Sequence, residues 1–388
     1  MIRIREGELT DVSLAPADVA HLARTLAGDA TVSRTQLRVR RVAGLWSLPS
    51  GETLVIEPRK GSGADLFAWM CAIDPRLIGD FGALAREGVT TGDVTDVAAR
   101  TFCAMLTMAM QRSGARRLYR ARREERATLR GRVDWSAYAR EPLPMRIPCV
   151  HWERDLDTPL NRLISAVLQR MAIHEGLRRA AGPQFAELVD VFRHVPSKPP
   201  AMIFDLERPL ARLDADFEPI RRLAIVLLDS LGLMLVGRDP GLTFRVNLAR
   251  LFERSVERAI LSVPWPAPPR FQVPPAYDGD SEAEKSALDA LVQAHDGALV
   301  VDAKYATQFS KQHLYQVLAY MKMVGASRGA LVYPAGADLG ARTFRARGAH
   351  AWDVRVLELD PVSVARDTAR TLMELGAALA AAGQRSAA

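Results

Sequence analysis

Two aspartates and a lysine in one short stretch have the residue types and spacing for phosphodiester chemistry. They are Asp289, Asp302 and Lys304, within the run Ser286 to Lys304. Asp296-Gly297 splits that run into two apolar, β-branched segments, a local signal for a tight hairpin. With Asp296 and Gly297 as the two loop residues, His295 pairs with Ala298, Leu291 faces Asp302 and Asp289 faces Lys304. Side chains alternate faces along a strand, so all three charged groups share one side, with Ala303 on the other. Directly opposed Cβ atoms lie roughly 5 Å apart and diagonal ones roughly 7–8 Å. Two carboxylates and an ammonium therefore converge, provided the register does not slip by one residue.

Two hard oxygen ligands at that separation suit Mg²⁺ or Mn²⁺, which keeps most of its waters and adds substrate phosphate oxygens. A bound cation of this kind activates water and stabilises the leaving oxygen of a phosphodiester. The neighbouring ammonium orients that water or neutralises charge developing on phosphorus. The same triplet also suits an ordinary surface hairpin whose charges form an ion pair, so the flanking elements carry the decision.

The chain of 388 residues is long enough for two or three cores. Its 48% hydrophobic and 25% charged content is that of a water-soluble globular protein. No apolar leader follows Met1, and the most apolar run, Leu223 to Gly237, is short and holds Asp229. It reads as a buried helix, since a membrane span needs about 20 apolar residues. Cys71, Cys103 and Cys149 are odd in number and lack a CxxC pair, which speaks against a disulfide framework or zinc site and suits a reducing cytoplasm.

The net charge of +7 is concentrated. Arg112, Arg116, Arg117, Arg120, Arg122, Arg123, Arg126, Arg130 and Arg132 face only Glu124 and Glu125 in that stretch. Such a band tracks phosphates, meets an acidic protein surface, or is a solvated edge.

The expected class is α/β (α+β) in three successive parts. Residues 1–150 carry short strands (Gln36 to Arg41, Leu45 to Leu48, Thr53 to Glu57), a long helix from Val94 to Met110, and the arginine band. Residues 151–240 are helical, with Asp157 or Thr158 capping a helix that starts at Pro159. Residues 241–388 follow the order αβββαβ. Its first helix, Asn247 to Leu261, carries Glu253 and Glu257 beside an apolar stripe. Strands follow at Arg270 to Ala276, Ser286 to Gln293 and Leu299 to Tyr305. Ser310 then caps a helix to about Val324 that bears Gln316 and Tyr320 on one side. Gly329 to Tyr333 and Val354 to Leu359 complete the strands.

A helix with a carboxylate, a hairpin with Asp…Asp-X-Lys and a helix with Gln-X-X-X-Tyr, in that order, resembles the RecB-like branch of the PD-(D/E)XK nucleases. Leu251-Phe252-Glu253, Val301-Asp302-Ala303-Lys304-Tyr305 and Leu314-Tyr315-Gln316-Val317-Leu318-Ala319-Tyr320 are similar to the McrC family in particular. So are Leu129-Arg130-Gly131-Arg132-Val133-Asp134 and Asp157-Thr158-Pro159-Leu160-Asn161-Arg162-Leu163. The resemblance implies the nuclease subunit of a modified-cytosine restriction system. It makes Asp289 and Asp302 ligands of the cation, with the carbonyl of Ala303 as a third. It makes Lys304 the group that positions or activates water, Glu253 (or Glu257) the completing carboxylate, and Gln316 and Tyr320 a support for the site or the DNA backbone. Leu288 stands where the family has proline before its first aspartate, which keeps Asp278 and Asp280 as alternatives to Asp289.

The resemblance also implies partners: double-stranded DNA and a hexameric AAA+ NTPase, into which the N-terminal part docks and whose hydrolysis it stimulates. This chain has no Gly-Lys-Ser/Thr phosphate loop of its own. Pairing of two nuclease domains is left open. A different class of function, a non-catalytic adaptor of the motor on a degenerate nuclease fold, predicts the same docking without cleavage. The seven histidines have no metal-ligand spacing, and His151, His295 and His313 read as structural.

Overall fold

The computed structural model describes residues 1–73, 94–140, 146–173, 175–196, 216–230, 243–274, 288–336, 342–346 and 351–384. The chain packs as two compact units, residues 1–97 with 239–388 and residues 98–238. Packing thus groups the chain differently from the three successive segments expected, because the first hundred residues join the last hundred and fifty. Asp278 and Asp280 lie outside the described residues.

The first unit opens with β1 (Ile2–Arg5), β2 (Leu9–Asp11), α1 (Pro16–Thr25), β3 (Ala30–Val32), β4 (Gln36–Val39), β5 (Val42–Ser47), β6 (Thr53–Glu57) and α2 (Gly63–Ile73). Helix α3 (Val94–Ser113) then carries the chain past the unit boundary. Leu22, Leu37, Val39, Trp46, Leu54 and Ile56 are fully or almost fully buried and hold α1 and the two small sheets together.

The second unit contains β7 (Leu118–Arg126), β8 (Arg132–Val133), α4 (Trp135–Tyr138), β9 (Ile147–Asp155), α5 (Pro159–Ile173), α6 (Glu175–Ala180), α7 (Phe185–Phe192) and α8 (Glu218–Ser230). Its sheet runs β7-β9-β8. Helix α5 starts as its sequence predicts: Pro159 leads, and the Thr158 hydroxyl accepts the Asn161 amide at 3.1 Å. The buried Asn161 side chain donates to the carbonyls of Arg116 and Leu156, both at 2.7 Å, tying the helix to the start of β7.

The first unit resumes with β10 (Thr243–Asn247), α9 (Leu248–Leu261), β11 (Arg270–Val273), β12 (Leu288–Ala294), β13 (Gly297–Ala303), α10 (Lys311–Val324), β14 (Arg328–Pro334), β15 (Thr343–Ala346), β16 (Trp352–Leu359), α11 (Pro361–Arg366) and α12 (Thr368–Ala382). Six of these strands form a mixed sheet in the order β11-β12-β13-β14-β16-β15. β11, β12 and β13 are antiparallel neighbours, whereas β13, β14 and β16 run parallel. Helix α10 supplies the crossover between β13 and β14 and packs on one face through Leu314, Val317, Tyr320 and Met321. It can sit that close because β14 offers Gly329, where a Cβ would lie 2.7 Å from Val317 Cγ1. Strand β10 links this part to the N-terminal sheet, order β1-β6-β5-β10. Gly44 in β5 permits the approach, since a Cβ there would fall 1.8 Å from the Phe244 carbonyl oxygen.

The observed class is therefore mixed α/β with several sheets. No helix among the described residues is long and apolar enough to cross a membrane. Cys71, Cys103 and Cys149 are buried and outside any disulfide among the described residues, and burial pushes Cys103 up to about 12.

Candidate active site

The β12–β13 hairpin forms, but not with the expected loop. Ala294 pairs with Gly297 and Ala290 with Val301, so the chain turns through His295 and Asp296. Neither of these has positive φ; Gly297 takes it instead, at φ 119°, in the first position of the returning strand. Continuing the ladder places Asp289 opposite Asp302, where Lys304 was expected. The correction is a two-residue slip, and an even slip preserves which side chains share a face. Asp289, Asp302 and Lys304 therefore still share one side of the hairpin.

The two aspartates lie on the α10 side of the sheet. Asp289 is half-buried and its Oδ2 accepts the backbone N–H of Ala303 at 2.7 Å. Asp302 is 1% exposed, at the floor of the cluster. Its Oδ2 lies 2.9 Å from Lys304 Nζ, and the lysine side chain remains 19% exposed, so the cluster reaches solvent through its rim. The contact is an ion pair without the geometry of a directed hydrogen bond, which leaves Asp302 Oδ2 a buried acceptor with no such bond. Burial, then the nearby Asp289, pushes Asp302 up to about 6, against the pull of Lys304. Asp289 is also raised, chiefly by burial, while the Ala303 N–H and the charge of Lys304, and more weakly the neighbouring Asp302 and Gln272 side chains, lower it.

Helix α9 delivers the third carboxylate. Asn247 caps it by accepting the Arg250 N–H at 3.0 Å, and the Leu248 N–H reaches back to the Arg41 carbonyl at 2.9 Å. Trp69 Nε1 donates to the buried Ser255 hydroxyl at 2.9 Å, and Arg258 donates to the Ala72 carbonyl at 2.8 Å, fixing α9 against α2. On this held helix Glu253 is raised to about 7, first by burial, then by the charges of Asp289 and Glu257. Lys304 and Asp302 also act on it, so Glu253 belongs to the same charge cluster. Glu257 is raised by burial too, but Asp289 is the only one of the three hairpin groups that acts on it. This favours Glu253 as the nearer member. Phe252 packs on Tyr305, ring centroids 5.7 Å apart, joining the residue before Glu253 to the residue after Lys304.

On α10, Gln316 Nε2 donates to the Tyr320 hydroxyl at 2.8 Å. Tyr320 is itself buried in the apolar layer under the sheet, so of the two only Gln316 keeps appreciable surface. His313, expected to be structural, pairs with a residue the sequence does not point to. His313 Nδ1 and the Tyr333 hydroxyl are hydrogen-bonded at 2.8 Å. Lys304 N–H donates to the Val332 carbonyl at 2.8 Å, which sets β14 and Tyr333 alongside Lys304. Burial and the Lys304 charge lower His313. Its spacing three residues before Gln316, on the same helix face, is the sequence signal that could have marked it.

The arginine band falls in the second unit. Arg120, Arg122, Arg123 and Arg126 lie on β7, Arg116 and Arg117 just before it, Arg130 just before β8 and Arg132 on β8. Arg117, Arg122, Arg123, Arg130 and Arg132 are exposed. Arg122 pairs with Glu153 at 3.5 Å and Asp155 at 3.4 Å on β9. Tyr119 and Trp152 stand exposed on the same sheet, and the Arg154 guanidinium lies 5.7 Å from the Tyr119 ring centroid.

Among the described residues, no three His, Cys, Asp or Glu side chains form a ready-made metal cage. What the hairpin offers is two opposed carboxylates, one of them with a buried oxygen whose partner is the Lys304 ammonium. That donor set fits a hard cation that keeps several waters and takes one or two carboxylates, as Mg²⁺ does.

The fold and the cluster define a mixed α/β protein with an acidic pair and a lysine grouped on one sheet hairpin. The sequence profile described as "McrBC 5-methylcytosine restriction system component" matches residues 37–334, and the chain belongs to that family. A chain from the refined half-complex of the tetradecameric assembly of Thermococcus gammatolerans McrB AAA+ hexamers with bound McrC is similar in fold, with TM-score 0.70 and 18% identity. That match covers 96% of this chain and 99% of the other. A chain from the cryo-EM structure of the Thermococcus gammatolerans McrBC complex matches with TM-score 0.52 and 18% identity, over 67% of this chain and 87% of that one. No curated protein sequence matches significantly.

Proposed function

We propose that this McrBC-family chain is the nuclease subunit, a Mg²⁺- or Mn²⁺-dependent DNA endonuclease with a PD-(D/E)XK core that acts with an AAA+ NTPase in defence against foreign DNA. The observation that carries the reading is the meeting of Asp289, Asp302 and Lys304 on one face, with Glu253 electrostatically joined to them. The element order α9-β11-β12-β13-α10-β14 has the αβββαβ sequence of such cores. Asp289, Asp302 and the Ala303 carbonyl would hold the cation, and Glu253 would complete the site. The cation supplies a polarised water and charge neutralisation at the phosphate. Lys304, already placed against Asp302, would swing to the attacking water or the phosphoryl oxygen once the cation neutralises that carboxylate. Gln316, with Tyr320 behind it, would support the DNA backbone.

The partner reading is supported by the family and by one of the solved complexes, whose description names McrB AAA+ hexamers with bound McrC. Residues 1–150, with the arginine band, are the proposed docking arm, and the exposed Tyr119, Trp152, Arg122 and Arg123 give its β7–β9 sheet the aromatic and cationic make-up of a protein or phosphate contact. Three buried reduced thiols agree with a cytoplasmic setting. The test is cleavage of modified-cytosine plasmid DNA by this chain with its AAA+ partner, Mg²⁺ and nucleotide. Asp302→Ala and Lys304→Ala should each abolish cutting while leaving stimulation of the partner's NTPase intact. Equal cutting by all three proteins would refute the assignment. Stimulation without cutting by the wild type would establish the adaptor instead.

A further inference from the structure

Strand β11 pairs with β12 at Arg270–Leu291, Phe271–Ala290 and Val273–Leu288, and the ladder skips the pair that should lie between the last two, Gln272 with Asp289. Gln272 has φ 48°, and apart from Arg41 it is the only non-glycine described residue in the left-handed region. That conformation costs a long-chain residue of order 1 kcal/mol or more and persists where the surroundings over-determine it, commonly at functional sites. The side chain's own packing does not force it, since Gln272 is exposed. What the distortion achieves is local: the strand gives up one backbone pairing at the position opposite Asp289, and the Gln272 side chain lies close enough to the Asp289 carboxylate to lower its proton affinity. Asp289 is then flanked from two strands, by Gln272 across the β11–β12 register and by the Ala303 N–H, which it accepts at 2.7 Å.

We infer that Gln272 is a positioning residue for Asp289, its left-handed backbone aiming the side-chain amide at the carboxylate so that Asp289 stays fixed opposite Asp302. The inference deepens the nuclease reading and concerns this chain's own geometry, whether or not a cation is present. A ligand carboxylate held by an outer hydrogen bond keeps its orientation, and loss of such a partner typically weakens metal affinity 10–100-fold.

The experiment uses the full chain and the variants Gln272→Gly, Gln272→Asn and Asp289→Ala. Glycine accepts φ 48° without strain, so Gln272→Gly removes the amide while keeping or raising the thermal midpoint of the metal-free protein. Hydrogen exchange of the Ala303 amide, measured without metal, should speed up at least tenfold in Gln272→Gly and in Asp289→Ala. Asparagine, which tolerates the left-handed region and retains an amide, should restore part of the protection. In parallel, Mn²⁺ affinity should fall on the order of tenfold in Gln272→Gly. Unchanged Ala303 protection in Gln272→Gly overturns the inference whatever the protein does with metal. Faster Ala303 exchange in a protein whose wild type binds no Mn²⁺ supports the positioning role and removes the nuclease reading on which its purpose rests.

Discussion

Asp302→Asn should make the metal-free protein more stable at neutral pH, and the size follows from the burial of that carboxylate. Asp302 is 1% exposed, and its proton affinity rises from the ordinary 3.8 to about 6. A raised folded-state value for an acid means that the folded protein holds the proton more tightly than the unfolded chain. Stability is therefore greatest below 3.8, declines as pH rises through 3.8 to about 6, and has lost the full amount above that. At about 1.4 kcal/mol per tenfold change in affinity, the ionised form costs up to about 3 kcal/mol. Asparagine keeps the shape and removes the charge, but leaves Lys304 without its partner, so the net gain at pH 8 should be on the order of 1–3 kcal/mol. For units of this size that raises the melting temperature by roughly 2–10 °C. Thermal melts of wild type and variant in a chelator at pH 8 and pH 4 measure it. The gain should be present at pH 8 and nearly absent at pH 4, where wild-type Asp302 is already protonated. A variant that melts below the wild type at pH 8 would show that Lys304 over-compensates the burial, and the electrostatic account of the cluster would be wrong.

The other expectations are more direct. Glu253, raised to about 7 in the metal-free protein, should ionise as pH rises from about 6 to 8, so cleavage should increase over that window. The midpoint should move below 7 as Mg²⁺ concentration rises, whereas a midpoint insensitive to both Mg²⁺ and Glu253→Gln would exclude Glu253 from the site. Gly329→Ala puts a Cβ 2.7 Å from Val317 Cγ1 and 2.8 Å from Met321 Sδ, and should cost about 1–3 kcal/mol, read as a lower urea midpoint at unchanged slope. Asn161→Ala removes both donors to the Arg116 and Leu156 carbonyls, and should destabilise the second unit by roughly 2–3 kcal/mol, seen as faster exchange across α5 and β7.

Local signals in the chain determined most of the elements. Helix α10 starts one residue after Ser310, as its pattern predicts, and α9 starts one residue later than expected, because in both a side-chain oxygen, of Ser310 and of Asn247, satisfies a first-turn N–H. Pro159 marks the start of α5 for an equally local reason, its fixed φ. The face shared by Asp289, Asp302 and Lys304 was also legible, since alternation along a strand has period two and an even slip leaves it unchanged. Which residues make the turn was not. His295 and Asp296 turn, with Gly297 after them in the left-handed region, a choice that side-chain alternation leaves open because both registers put the same residues on each face.

The rest required tertiary structure. Nothing near Gln272 in the chain announces a left-handed strand residue, because Asp289 is seventeen positions away and the two face each other only once β11 and β12 lie side by side. His313 and Tyr333 meet only through the α10–β14 crossover. The grouping of residues 1–97 with 239–388 depends on β5 pairing with β10 across some two hundred residues, a contact with no short-range signature. The sequence by itself thus determined the helix starts, the chemical identity of the cluster and the face it occupies, all consequences of spacing along one backbone. Tertiary structure alone decided the depth at which Asp302 is buried and the residue that faces Asp289 across β11, because burial and charge proximity are properties of strands and helices brought together from distant parts of the chain.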